Sequence, residues 1–139
     1  MTSRTRWLAG AVALLSVILT ERTTVGQGSV LQIRLEGWVG QPPAGWTPRG
    51  EVQVHVNDAD VNLHVNAVRV LSGDSFGPDV LAGLVAKRPG LYLYGPPPLL
   101  KRFTAAKPGT YLALVGYLRR GTSDMNASGV TVLPPPKKP

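Results

Sequence analysis

Apolar and polar residues alternate along much of the first half of the chain, which is the pattern of β-strands with one buried face. Val30–Val39 places leucine and isoleucine on one face and charged or amide side chains on the other. Glu51–Asn57 and the stretch after it continue the alternation, but the phase changes after Ala67. We interpret this change as a β-bulge near Asn66 and Ala67, where one extra residue shifts the register.

The second half of the chain predicts one helix among shorter strands. Pro78–Lys87 begins with proline, carries one apolar stripe and is followed by a Pro-Gly pair, which together indicate a short helix. Leu91–Tyr94 and Leu99–Thr104 are predicted strands, separated by a rigid run of prolines. Gly129–Val132 predicts a closing strand after a polar loop.

Tyr111–Leu118 is apolar on both faces, unlike the earlier strands. A sandwich strand needs only one buried face, so either the predicted helix or a partner protein should cover the other. Trp46, in a proline-rich loop, is a further candidate for the partner surface, although a large loop residue more often anchors its loop to the core. The strand residues that we expect at the contact are Leu112, Leu114 and Leu118.

The composition of the chain excludes several kinds of function but does not point to one. The 139 residues favour one domain, and the absence of cysteine excludes disulfides, thiolate metal sites and cysteine nucleophiles. The net charge of +7 comes from scattered basic residues rather than a basic face beside stacking groups, so we expect no nucleic acid partner. No serine lies in a Gly-x-Ser-x-Gly turn and neither histidine has an evident nucleophile, so we expect no enzyme.

Residues 1–26 are predicted to be a targeting segment. Arg4 and Arg6 precede Trp7–Leu19, an apolar run that spans about 20 Å as a helix and is too short for a hydrocarbon core of about 30 Å. This pattern indicates a cleaved secretory signal or, if it is retained, a membrane anchor. Both place the rest of the chain in the cell envelope, the periplasm or outside the cell. We divide that remainder into a domain at residues 27–133 and a Pro/Lys-rich tail at residues 134–139, expected to be polyproline-like.

Four segments, GEVQVHVNDAD, AVRVLSG, FTAAKPGTY and SGVTVL, resemble the bacterial immunoglobulin-like domains of secreted and cell-surface proteins. The resemblance implies an all-β fold, a Greek-key β-sandwich of about seven strands, here with one short helix. It also implies that Gly109 and Tyr111 form a tyrosine corner, in which the Tyr111 hydroxyl bonds the main chain a few residues upstream.

The alternative is an OB-fold barrel, because three strands, a helix and two strands also fit the chain. Such a domain binds oligonucleotides or oligosaccharides on its outer surface. In that barrel Trp38, Trp46 and Tyr92 are the candidate stacking groups.

The immunoglobulin-like resemblance further implies one metal site. In such a sandwich, the loop after the second strand and the loop before the last strand lie at the same end. That arrangement brings Asp58 and Asp60 near Asp124 and Asn126, whose oxygens suit calcium. We expect no cofactor, and calcium at this end of the sandwich is the alternative.

These observations together favour a non-enzymatic exported module that works in adhesion, in assembly or as an accessory domain, through contacts at its surface. The expected partner is another exported or envelope protein, with a glycan as the alternative. Contact with a membrane is expected only through an uncleaved leader.

Overall fold

The computed structural model describes residues 29–137, so the predicted leader at residues 1–26 lies outside the described residues. The described chain is mostly β-strand with two short helices, and the expected all-β class is confirmed. Helix α1 follows the third strand and helix α2 follows the fourth. The elements in chain order are β1 Val30–Val39, β2 Gly50–Val56, β3 Ala59–Ser72, α1 Gly77–Val85, β4 Leu91–Tyr94, α2 Pro97–Thr104, β5 Tyr111–Arg119 and β6 Asp124–Val132.

The strands pair in the order β1-β3-β2-β4-β6-β5, and β5 returns to β1, so the sheet closes into a barrel. Strand β4 pairs in parallel with β2 and β6, whereas every other neighbouring pair is antiparallel. Because β1 pairs along both of its edges, the expected two-layer sandwich of about seven strands is not confirmed. The OB-fold alternative is not confirmed either, since that barrel has five strands.

The predicted bulge in β3 is confirmed. The neighbouring residues Glu36 and Gly37 of β1 pair with Ala67 and Val65, so Asn66 is left without a pairing partner in β1. The extra residue bends β3 and changes the phase of its alternation. The apolar side chains are at odd-numbered positions before the bulge and at even-numbered positions after it. Strand β3 pairs with β2 in its first half and with β1 in its second half.

The predicted helix is confirmed as α1, but the predicted strand Leu99–Thr104 is wrong, because these residues belong to helix α2. Two prolines occupy the first turn of α2, where a missing N–H leaves no hydrogen bond unmade. Leu100 and Phe103, three residues apart, are buried, while Lys101 and Arg102 lie exposed between them. Neither helix, nor any other among residues 29–137, is long and apolar enough to cross a membrane.

The core fills the inside of the barrel and continues under both helices. Leu112, Leu114 and Leu118 are buried in it, so their predicted role as a partner surface is wrong. Helix α1 packs on β2 and β3 rather than over β5, and its Leu81 and Leu84 enter the same core. The barrel thus buries the leucine face of β5 on the inside, and the alternate residues of β5 lie on its outer face.

Strand β5 also shows where the two ends of the described barrel lie. Its last residue, Arg119, pairs with Val30, where β1 begins. Its second residue, Leu112, pairs with Val132, where β6 ends. The chain therefore enters the barrel at one end and leaves it at the opposite end.

Candidate functional site

Three tyrosines are exposed on the outer surface of β4 and β5, the two strands that flank β6. Strand β4 buries its two leucines, so Tyr92 and Tyr94 point outward and are 39% and 51% exposed. Tyr117 of β5 is 46% exposed. Tyr94 and Tyr117 both pair with Asn126 of β6, from opposite sides. We call Tyr92, Tyr94, Tyr117 and Asn126 the tyrosine face.

One side of the tyrosine face has an acidic border. Tyr92 pairs with Asp124 on one neighbouring strand and with His55 on the other. The His55 ring packs edge-on against Tyr92, with centroids 5.7 Å apart, and its Nδ1 lies 2.8 Å from Oδ1 of Asp60. A hollow of about 660 Å³ opens beside Tyr92 and Tyr94, and Asp58 contributes to its lining. Exposed rings therefore lie beside a concave, acidic surface.

The residues of the predicted calcium site are not brought together. Asp60 pairs with His55, His55 with Tyr92 and Tyr92 with Asp124, so two strands separate the two carboxylates. Three strand spacings amount to about 14 Å along the sheet, whereas calcium ligands lie about 2.4 Å from the ion. Within residues 29–137, no group of three or more His, Cys, Asp or Glu is placed to hold a metal. The sandwich end that the prediction required does not form, because β2 and β4 lie between the two segments.

A second cluster lies outside the barrel, at the Tyr111 end of the outer face of β5. Trp38 of β1 pairs with Tyr111 of β5, and their ring centroids lie 5.0 Å apart. Trp46 packs on the other side of Trp38, also at 5.0 Å. Trp38 is only 1% exposed, so it is no stacking group for a ligand. Trp46 anchors the β1–β2 loop to the barrel through its contact with Trp38.

The Tyr111 hydroxyl joins this cluster to the bulge. It donates a hydrogen bond to Oε1 of Glu36 at 3.1 Å and accepts one from Nδ2 of Asn66 at 3.2 Å. Arg34 holds the other oxygen of Glu36 at 2.8 Å. Burial raises the pKa of Tyr111; the Asn66 hydrogen bond opposes this rise and Glu36 reinforces it.

The main-chain hydrogen bond that the predicted tyrosine corner requires is not formed by the Tyr111 hydroxyl. Gly109 takes a left-handed φ of 92°, and its N–H donates to the Val39 carbonyl at 2.7 Å. The Tyr111 hydroxyl, however, bonds the side chains of Glu36 and Asn66 rather than a main-chain oxygen. Closure of the barrel explains the difference, because it places β1 beside β5 and brings Glu36 within reach.

Another concave surface is an apolar groove between α1 and β3. It encloses about 710 Å³, and Val68, Leu81 and Val85 line it with Arg49 among its edge residues. The Arg49 Nε already donates to the Asn66 carbonyl at 2.9 Å. A pocket that selects a small ligand usually has several convergent polar groups, so this groove is a weaker candidate than the tyrosine face.

Comparison with known protein families, curated proteins and solved structures finds no match to this chain. The class of protein that the fold defines is an all-β barrel with an aromatic outer face. Sequence reasoning singled out Tyr92 but missed Tyr94 and Tyr117. The available signal was the strict alternation of Leu91–Tyr94, which places both of its tyrosines on one face.

Proposed function

We propose that this chain is a non-enzymatic exported module for adhesion or assembly, and that it acts through the tyrosine face. The observation that carries the proposal is the exposure of Tyr92 and Tyr94 on β4 and of Tyr117 on β5, on one surface with β6 between the two strands. Contiguous exposed apolar surface usually marks an interaction site. Tyrosine is enriched at interfaces, because a rigid apolar ring and a polar tip are ordered at low entropic cost.

The partner proposed is another exported or envelope protein. Closure of the barrel supports contact through side chains, because each strand of the described residues already has a strand neighbour on both sides. The acidic border at Asp60 and Asp124 favours a basic partner surface. The same border disfavours a phosphate backbone, so the proposal includes no nucleic acid.

Binding of an oligosaccharide is the second candidate function. It is supported by exposed rings on the outside of a barrel, the position at which OB-type barrels bind their ligands. Asn126, between Tyr94 and Tyr117, offers both donors and acceptors to hydroxyl groups. The relationship to the bacterial immunoglobulin-like domains also stays a proposal, supported by the short motifs of the sequence.

A photo-crosslinking amino acid at position 94 tests the proposed function in the producing cell. We expect a discrete crosslinked product from the substitution at Tyr94. The matched control is the same group at Phe76, which is 66% exposed and lies by the N-terminus of α1. If position 94 gives no product, or if both positions give the same products, the tyrosine face is not the contact surface.

A further inference from the structure

Resting on the proposed function, we propose that the tyrosine face binds the Pro/Lys-rich segment, residues 134–139, of a second copy of this chain. The segment reads Pro-Pro-Pro-Lys-Lys-Pro. Proline runs of this kind adopt the polyproline II helix, which is preformed and binds aromatic-lined surfaces at low entropic cost. In the structure residues 134–137 form no helix or strand; Pro134, Pro135 and Lys137 are exposed, and Pro136 is half-buried.

The spacing of the tyrosines matches the repeat of that helix. Tyr94 and Tyr117 lie on either side of Asn126, two strand spacings apart, which amounts to about 9.6 Å. A polyproline II helix repeats every three residues, or about 9.3 Å. A segment lying across the strands therefore presents residues i and i+3 to the two rings. Pro136 and Pro139 have this spacing.

Charge favours the same occupant. Lys137 and Lys138 lie between the two prolines in the sequence. In a polyproline II helix, which has three residues per turn, their side chains would point to the two sides that the prolines do not occupy. The tyrosine face is bordered by Asp124 next to Tyr92, and Asp60 follows beyond His55. Basic side chains flanking the prolines thus meet carboxylates, in a chain whose overall charge is +7. These contacts are exposed, so added salt should weaken them.

The geometry of β6 assigns the segment to a second copy. Asn126 lies near the start of β6, and the strand runs about 20 Å further to Val132. Pro136 follows Val132 by four residues, which span at most about 14 Å. Pro136 therefore cannot turn back and reach Tyr94 or Tyr117 of its own barrel. The same segment reaches the tyrosine face of a neighbouring molecule without this restriction.

Such a contact is heterologous, because it joins the tail of one molecule to the tyrosine face of the next. Each bound copy still offers its own tail and its own tyrosine face. Contacts of this type extend into open chains unless the rotation between copies closes a ring. The proposal therefore specifies how the module assembles: by head-to-tail addition.

Fluorescence anisotropy of a dye-labelled peptide, Leu-Pro-Pro-Pro-Lys-Lys-Pro, titrated with the full chain, tests the binding step. We expect saturable binding that weakens about tenfold for Tyr94→Ser or Tyr117→Ser, since truncating a central aromatic contact removes much of an interface's affinity. Both tyrosines are exposed, so these variants should fold, and near-UV circular dichroism verifies this. Phe76→Ser is the matched control and should bind as the wild type does. A peptide carrying Pro136→Ala and Pro139→Ala should also bind about tenfold more weakly.

Sedimentation velocity of the full chain tests assembly. We expect concentration-dependent association that is lost when Pro136→Ala and Pro139→Ala are introduced together. The proposal is overturned if the peptide shows no saturable binding, or if the tyrosine variants bind it as well as the wild type does. It is also overturned if the crosslink from position 94 joins a different envelope protein, and in that case the proposed function survives. Absence of any crosslink from position 94 contradicts both the binding of the tail and the proposed function.

Discussion

Trp38 and Tyr111 face each other across β1 and β5 on the outside of the barrel, with ring centroids 5.0 Å apart. This pair joins two strands that are far apart in sequence and closes the sheet on the side where a sandwich would have had an edge. Trp46 covers the pair, so the barrel has an aromatic outer layer there in addition to its aliphatic core. The stability of the closure should depend on this layer.

Removing the covering ring tests that dependence. Trp46→Ala exposes Trp38 and loses a tilted ring contact, so we expect the free energy of unfolding to fall by about 2 kcal/mol. Chemical denaturation followed by far-UV circular dichroism measures the change. Trp46→Phe keeps an aromatic ring over Trp38 and should lose less than half as much. Equal stability of Trp46→Ala and the wild type would show that the loop adds nothing to the barrel.

Tyr111→Phe should reduce stability by about 1 kcal/mol at neutral pH, because the hydroxyl loses its bonds with Glu36 and Asn66. The difference should depend on pH. The pKa of Tyr111 is raised above its ordinary value of 10.0 in the folded protein. Above about pH 10 the unfolded chain therefore loses this proton first, which favours unfolding.

The stabilising contribution of the Tyr111 hydroxyl is thus complete below about pH 10 and is lost as the pH rises through its pKa in the folded state. Since phenylalanine has no proton to lose, the stability gap between wild type and variant should narrow at alkaline pH. Urea denaturation at about pH 8 and about pH 11 measures both gaps. A gap that is constant between these two pH values contradicts the prediction.

Gly37 marks the closest approach of β1 to β3. A Cβ built at this position lies 2.2 Å from the carbonyl oxygen of His64, and the backbone of β3 cannot move away without breaking its pairing. We expect Gly37→Ala to cost more than about 3 kcal/mol, measured as a shift in the denaturation midpoint. Gly129→Ala is the matched control, because a Cβ there meets only the Val115 side chain at 4.0 Å. If both substitutions cost the same, the steric explanation fails.

A substitution in the turn between β2 and β3 should raise the stability of the protein. Asn57 and Asp58 both have left-handed φ angles, 51° and 63°, as a two-residue hairpin turn of type I′ requires. Glycine takes this conformation without strain, so Asp58→Gly should raise stability by about 0.5–1 kcal/mol. Asp58→Ala should lower it, because alanine tolerates the left-handed region less well than aspartate. Thermal melting distinguishes the two, and a loss of stability in both variants would assign the effect to the carboxylate instead.

Local patterns predicted those parts of the fold that local physics decides. The alternation of Val30–Val39 identified β1, and the phase change at Asn66 identified a bulge, because both follow from a two-residue period. The stripe of α1 was equally visible. The strand prediction for Leu99–Thr104 was wrong, because a short segment of mixed apolar and basic residues after prolines fits a short helix as well as a strand.

Barrel closure was beyond local patterns, because it depends on pairing between β1 and β5, which lie at distant points of the chain. The error then extended to the site. Leu112 and its neighbours looked like surplus apolar surface in a sandwich, yet they fill the inside of a barrel. The two carboxylates Asp60 and Asp124 looked close only because a sandwich was assumed. The residues of a site depend on topology even when each strand is identified correctly.

The chain enters the barrel where Val30 pairs with Arg119 and leaves it where Val132 pairs with Leu112, about 24 Å away along β5. A tether attached before Val30 would therefore lie at the opposite end of the molecule from one attached after Val132.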